Sequence, residues 1–180
     1  MLDGFRHGYG YPSDNYTSSG SVVSGATNGL LANGVSSSAI MFADGLDIIT
    51  NGLALDGPHI RSAGNVAGYM CWGYHSSLGT FYALSNNVVW TGNSQWWLIH
   101  TVESFNGQRE ANTWRCGNYI NWFSINAFGG TGYSKTPVGA VSYVDEPTTG
   151  AIDPSLYFGF WARGKTFVIS AWNTHHSDFL

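Results

Sequence analysis

Short apolar runs alternate with turn-forming residue pairs along most of the chain after residue 36. Asn-Gly pairs begin at residues 28, 33, 51 and 106, and Asp-Gly pairs begin at residues 3, 44 and 56. Both pairs tolerate the positive φ angles that tight hairpin turns require. The runs between them are rich in Ile, Val, Phe, Tyr and Trp, which favour strands. The pattern predicts short β-strands connected by hairpins.

Ten segments have the length and the side chains of strands, and helix formers such as Glu, Lys and Arg are sparse in them. Two hairpins stand out. One covers residues 80–90 and turns at residues 85–87, and the other covers residues 156–172 and turns at residues 162–165. The predicted strands are residues 38–42, 47–50, 68–74, 80–84, 88–90, 95–102, 118–128, 138–144, 155–161 and 166–173.

Ten short strands predict an all-β fold, a two-layer antiparallel sandwich or jelly roll, with a closed barrel as the alternative. Residues 95–102 and 118–128 are predicted to be central strands, because both of their faces are too apolar for an exposed edge. Residues 1–36 are dominated by Gly, Ser, Asn, Tyr and Thr. They are predicted to form an extended or loosely packed arm outside a single domain of residues 37–180.

The composition narrows the range of functions. The chain has 180 residues, of which 43% are hydrophobic and only 10% are charged, with a net charge of −4. A disordered tail and a coiled coil are excluded by this composition. No apolar run approaches the roughly 18 to 20 residues of a spanning helix, so we expect no membrane partner. The basic residues are scattered singly, which argues against binding to nucleic acid, because phosphate contacts need clustered Lys and Arg.

Aromatic residues are unusually abundant, at 16% of the chain, with eight Trp, ten Tyr and ten Phe. One small core does not comfortably enclose so many rings, since Trp is seldom fully buried. Part of the aromatic surface is therefore expected to face a ligand or another copy of the chain, and we expect a homo-oligomer.

The stretch around residues 90–97 has the residue types of a carbohydrate site. Sugars need a flat ring to stack on and short polar side chains that donate and accept hydrogen bonds. Alternation along a strand places Trp96 and Trp97 on opposite faces, so one of them points outward. The sequence predicts a non-catalytic binding module for carbohydrate or a similar polar ligand. Its shallow site is formed by Trp96 or Trp97 with Trp114, and by Asn93, Gln95 and Arg115 beside them.

Two other functions compete with this interpretation. The polar arm and the scarcity of charge favour a structural or assembly protein of a phage or a cell-surface appendage. A small glycoside hydrolase would use Glu103 and Glu110, which could meet across the base of a hairpin. These two residues also fit solvated charges beside Arg109. The acidic strand motif of β-sandwich glycosidases and a G-x-S-x-G elbow are both missing from the sequence, so a non-enzymatic function is favoured.

The remaining chemistry-bearing residues give weak signals. Cys71 and Cys116 are predicted to be buried thiols, with a disulfide as the alternative. No histidine pair has metal-ligand spacing, and residues 145–147 (Asp-Glu-Pro) predict a turn, with a calcium loop as the alternative. We therefore expect no metal and no cofactor. The first residues show no secretory signal, and the composition favours an extracellular, virion or appendage surface.

Overall fold

The described part of the chain is a mixed α/β structure. The computed structural model describes residues 2–3, 6–7, 28–40, 42–43, 46–47, 49–50, 53–54, 62–71, 88–101, 105–108, 119–144 and 152–174. Helix α1 includes residues 28–32, α2 is Pro154–Ala162 and α3 is Phe167–Trp172. Short 3-10 helices are η1 (Ser37–Ala39), η2 (Tyr119–Phe123) and η3 (Ala127–Gly129). The strands are β1 (Leu2–Asp3), β2 (Arg6–His7), β3 (Phe42–Ala43), β4 (Leu46–Asp47), β5 (Ile49–Thr50), β6 (Leu53–Ala54), β7 (Ser62–Gly64), β8 (Gly68–Cys71), β9 (Val89–Thr91), β10 (Leu98–Thr101) and β11 (Gly139–Val141).

The largest sheet is parallel throughout. Its strand order is β11-β10-β8-β1-β3, so β10 lies between β8 and β11. The register is fixed at Ile99, which pairs with Tyr69 on one side and with Ala140 on the other. Three two-stranded sheets complete the strand pairing of the described residues. Strands β7 and β9 are parallel, β2 and β4 are parallel, and β5 and β6 are antiparallel. Five strands of the described residues are three or four residues long. Of these, β8, β10 and β11 belong to the largest sheet, and β7 and β9 form a sheet of their own.

The predicted all-β antiparallel sandwich or jelly roll is therefore wrong. Residues 98–101 do form an interior strand, but its neighbours run parallel to it. A strand that is apolar on both faces fits the middle of a parallel sheet as well as a sandwich core, because parallel sheets are covered on both sides. The pairing partner, rather than the strand itself, distinguishes the two folds.

The second predicted central strand, residues 118–128, is also wrong. From Tyr119 onward this segment forms η2 and η3. Short-range backbone bonds hold it, with the Ser124 amide donating to the Asn121 carbonyl and the Ala127 amide donating to the Ser124 carbonyl. Ser and Asn side chains favour such turns, so they override the strand preference of the neighbouring aromatic residues.

The predicted hairpin over residues 156–172 is a pair of helices. Asp153 caps α2 by accepting hydrogen bonds from the amides of Ser155 and Leu156, and Pro154 occupies the first helical turn, where it suits the backbone. Thr166 caps α3 through the amide of Ile169. The strand preference of aromatic residues depends on their packing against a sheet surface. Here the capping residues favour helices instead. The turn at residues 162–165 was predicted at the correct place, although it joins helices rather than strands.

Two hydrophobic clusters cover the two faces of the parallel sheet. Successive residues of β10 point to opposite sides, so Leu98 joins one cluster and Ile99 joins the other. The helix-side cluster contains Met70, Leu98, Val141, Ile152, Tyr157 and Phe158. The aromatic cluster contains Val66, Tyr69, Val88, Trp90, Trp97, Ile99, Trp122, Ala127 and Phe128.

The contact between β11 and α3 leaves no room for a side chain at Gly139. A Cβ atom there would collide with the Phe167 ring. We expect Gly139→Ala to lower the free energy of unfolding by about 1 to 3 kcal/mol in chemical denaturation, because the helix or the strand has to shift. Gly64→Ala is the control, since its Cβ would meet Thr91 alone, with the hydroxyl at 3.2 Å and the backbone carbonyl oxygen at 3.9 Å. Equal stability of the two variants would contradict this packing.

Candidate ligand-binding site

A tight corner after β9 builds the surface that carries Trp96. Gly92 has a φ of +59°, and a Cβ atom on it would lie 2.6 Å from Oδ1 of Asn65. Glycine is therefore required both by the backbone angle and by the close approach. The same Oδ1 accepts a hydrogen bond of 2.9 Å from the backbone N–H of Asn93. The backbone N–H of Asn65 donates to the Thr91 carbonyl at 3.2 Å. These bonds fix the corner to the preceding strand pair.

Two buried side chains anchor the segment that follows the corner. Ser94 is fully buried, and its hydroxyl accepts from the Val66 amide at 2.9 Å and donates to the Thr91 carbonyl at 2.8 Å. Trp97 is also fully buried, and its indole Nε1 donates to the Lys135 carbonyl at 3.1 Å. Its ring packs edge-on against Phe128, with centroids 4.8 Å apart. Residues 94 and 97 thus hold the backbone on both sides of the intervening pair.

Trp96 lies between these anchors and points to solvent, with 72% of its surface exposed. Asn93 and Gln95 beside it are exposed as well. The structure therefore leaves one indole and two amide side chains of the same short segment exposed, on a backbone that is held from within. An aromatic face with adjacent amides can stack on a ligand and orient it by hydrogen bonds. The other two predicted site residues, Trp114 and Arg115, lie outside the described residues.

Lys135 adds a cation to the same corner. Its backbone carbonyl accepts from Trp97, and its ammonium group donates to the Gly92 carbonyl. The side chain therefore extends from Trp97 back to the turn that precedes Asn93. Sequence reasoning missed Lys135 and Asn65, because both act across separations of 28 to 43 residues that no local pattern reports.

A second polar group lies at the carboxyl ends of β10 and β11, and it is buried. Asn106 donates to the Thr101 hydroxyl at 2.6 Å and accepts from the Tyr143 amide at 2.9 Å. The Tyr143 hydroxyl lies 3.4 Å from Nε2 of His100 and accepts from the Ile152 amide at 3.2 Å. These hydrogen bonds hold the strand ends together. Because the side chains are buried, they are poorly placed to meet a ligand.

Burial also sets the ionisation of this group. It lowers the pKa of His100 to about 3, against a smaller opposite effect of the Val141 backbone. Burial raises the pKa of Tyr143 and of Tyr157, which packs edge-on near the same imidazole. All three side chains are therefore uncharged at neutral pH.

The other predicted chemistry lies largely outside the described residues. This holds for Glu103, Glu110, Cys116 and residues 145–147, so the hydrolase, the disulfide and the calcium loop stay predictions. Among the residues that the structure describes, no three His, Cys, Asp or Glu side chains group as metal ligands would. None of the helices in the described ranges combines the length and apolar content needed to cross a bilayer.

Comparisons with protein-family models, with curated proteins and with solved structures find no match to this chain. The candidate site around Trp96 therefore rests on its own geometry.

The neutral imidazole of His100 predicts a loss of stability in acid. An unfolded His has a pKa near 6.5, whereas the folded value is about 3. Between these two pKa values only the unfolded chain takes up the proton. The free energy of unfolding is therefore unaffected by this group above about pH 6.5 and falls as the pH drops towards 3, by at most roughly 1.4 kcal/mol per pH unit. Urea unfolding as a function of pH measures this slope.

His100→Phe keeps a ring at this position and removes the titrating group. We expect the variant to lose part of the acid-dependent slope, whatever its stability at neutral pH. Identical slopes in the two proteins would show that His100 is not the buried base described here.

Proposed function

We propose that this protein is a non-catalytic binding module for carbohydrate or a similarly polar ligand, which stacks on Trp96. The supporting observation is the contrast between adjacent residues: Trp96 is 72% exposed, whereas Trp97 is fully buried. An exposed aromatic face of this size can stack on the apolar face of a ligand. Because Ser94 and Trp97 anchor the backbone on either side, little ordering is needed when a ligand arrives.

The neighbours of Trp96 suit a ligand rich in hydroxyl groups. Asn93 and Gln95 each offer an amide donor and an amide acceptor, which match the dual character of a sugar hydroxyl. The backbone N–H of Asn93 donates to Asn65, which holds this residue in place, and its side chain is exposed to solvent. Stacking supplies most of the affinity in this proposal, and the amides set the orientation of the ligand.

Self-association, as expected of an assembly protein, is the second candidate function, and α3 favours it. Val168 and Trp172 are 69% and 66% exposed, and Ile169 between them is 42% exposed. Residues four apart lie on the same side of a helix, so Val168 and Trp172 form a continuous apolar strip. Such a strip suits a contact with a second copy of the chain.

Two tryptophan variants separate these functions. We expect Trp96→Ala to weaken ligand binding by about 1 to 3 kcal/mol, because the stacking surface is lost, while the fold is kept. Binding is measured by retardation in native gels that contain β-glucan, xylan, mannan or pectin, and then by calorimetry on the polysaccharide that retards the protein. Trp172→Ala is the matched control, since it removes an equally exposed indole elsewhere.

The control has its own readout in sedimentation velocity. Under the second candidate function, Trp172→Ala shifts the protein towards the 19.5 kDa monomer, whereas Trp96→Ala does not. Carbohydrate binding would be contradicted if no polysaccharide retards the native protein, or if both variants bind equally well. A native protein that sediments only as a monomer would contradict self-association.

A further inference from the structure

A cavity of about 420 Å³ lies at the amino end of β8. Trp96 does not line it, although Asn65 and Val66 line it and also take part in the hydrogen bonds that hold the segment before Trp96. One side is formed by α2, and the other by the segment of residues 30–40 together with the turn between β7 and β8. Its volume falls within the range of about 300 to 1,000 Å³ that small-molecule pockets occupy. We propose that this cavity binds a compact, uncharged molecule with an aromatic or branched aliphatic body.

The α2 wall is built from two aromatic rings whose positions are fixed. Trp161 donates its indole Nε1 to the Ala67 carbonyl at 3.0 Å, which sets the plane of the ring. Phe158 packs edge-on against Tyr157, with centroids 4.9 Å apart. A Cβ atom on Gly68 would lie only 2.9 Å from the Phe158 ring, so the ring packs directly against this glycine. This wall is therefore formed before any ligand arrives, which lowers the cost of binding.

The opposite wall is tied to α2 at its far end. A Cβ atom on Gly29 would collide with Ser155, and one on Gly159 would lie 2.5 Å from the Asn33 amide. Helices α1 and α2 therefore pack closely at these two glycines, and the cavity lies beside this contact. Small side chains border that space, since Ala39, Ala67 and Ala162 line it and are themselves exposed at its rim.

The polarity of the lining determines the class of ligand. None of the described lining residues carries a charge. Of the two amide or hydroxyl side chains among them, Ser38 bonds the Ser36 hydroxyl at 2.8 Å, and Asn65 uses its Oδ1 to hold Asn93. A charged ligand would lose its hydration without a counter-charge, whereas an apolar one gains from both rings. The cavity therefore selects against anions and cations.

The neutral dye N-phenyl-1-naphthylamine tests this proposal, because its fluorescence rises in an apolar pocket. We expect saturable binding of one dye per chain. Ala67→Phe and Ala162→Phe place a ring at the rim from two different elements, and each is expected to weaken dye binding at least ten-fold. Leu31→Phe is the control, since it adds the same ring at an exposed residue that does not line the cavity.

A readout on the unaltered protein does not depend on how the variants fold. On titration with the dye, the indole N–H resonance of Trp161 should shift, while that of Trp97 stays in place. Dye uptake that does not saturate, that persists in both rim variants, or that leaves the Trp161 resonance unmoved would overturn the proposal. Trp96→Ala should not change dye binding, so this result is independent of the carbohydrate site.

Discussion

Burial of β10 on both faces is the constraint on which the rest of the described structure depends. All four residues of Leu98–Thr101 are buried, and the strand pairs with β8 and β11 along both edges. A backbone with no access to water must satisfy its polar groups within the protein, and parallel neighbours on both sides do so. Each face then needs its own apolar layer. The helices α2 and α3 supply one layer, and the aromatic cluster around Trp90 and Trp97 supplies the other.

The exposed indole is a consequence of the same constraint. Trp97 leads directly into β10 and is drawn into the aromatic layer, where it packs against Trp90 and Phe128. Trp96 itself lies in a bend before β10 begins at Leu98, and its indole is left in water. The corner at Gly92 and the buried Ser94 hydroxyl keep this arrangement fixed. The backbone at Trp96 is thereby held in place by its neighbours on both sides, which suits a stacking site.

The sequence indicated where several strands lie, but not how they pair. The predicted strands 68–74 and 138–144 contain β8 and β11, because Val, Tyr and Met mark them locally. Pairing direction is set by segments far apart in the chain, and an apolar run that is buried on both faces fits either direction. The helices were a different kind of error: Asp153-Pro154 and Thr166 are readable caps, and they outweigh the strand preference of the aromatic residues that follow. For the candidate site, strand alternation predicted that one of Trp96 and Trp97 points outward, and Trp96 is exposed, but the predicted strand 95–102 begins only at Leu98, so a bend at residue 96 rather than alternation separates the two rings. The supporting Asn65 and Lys135 come from distant segments that carry no local signal.

The parallel pairing of β10 can be tested directly by nuclear Overhauser effects between backbone protons. Parallel neighbours place protons of Ile99 close to those of both Tyr69 and Ala140. The predicted result is a set of cross-strand effects from Ile99 to both residues, with the evenly spaced pattern of parallel strands. Close Hα–Hα contacts between Ile99 and an antiparallel partner, or the lack of any contact with Tyr69 and Ala140, would contradict the structure from which the sites were derived.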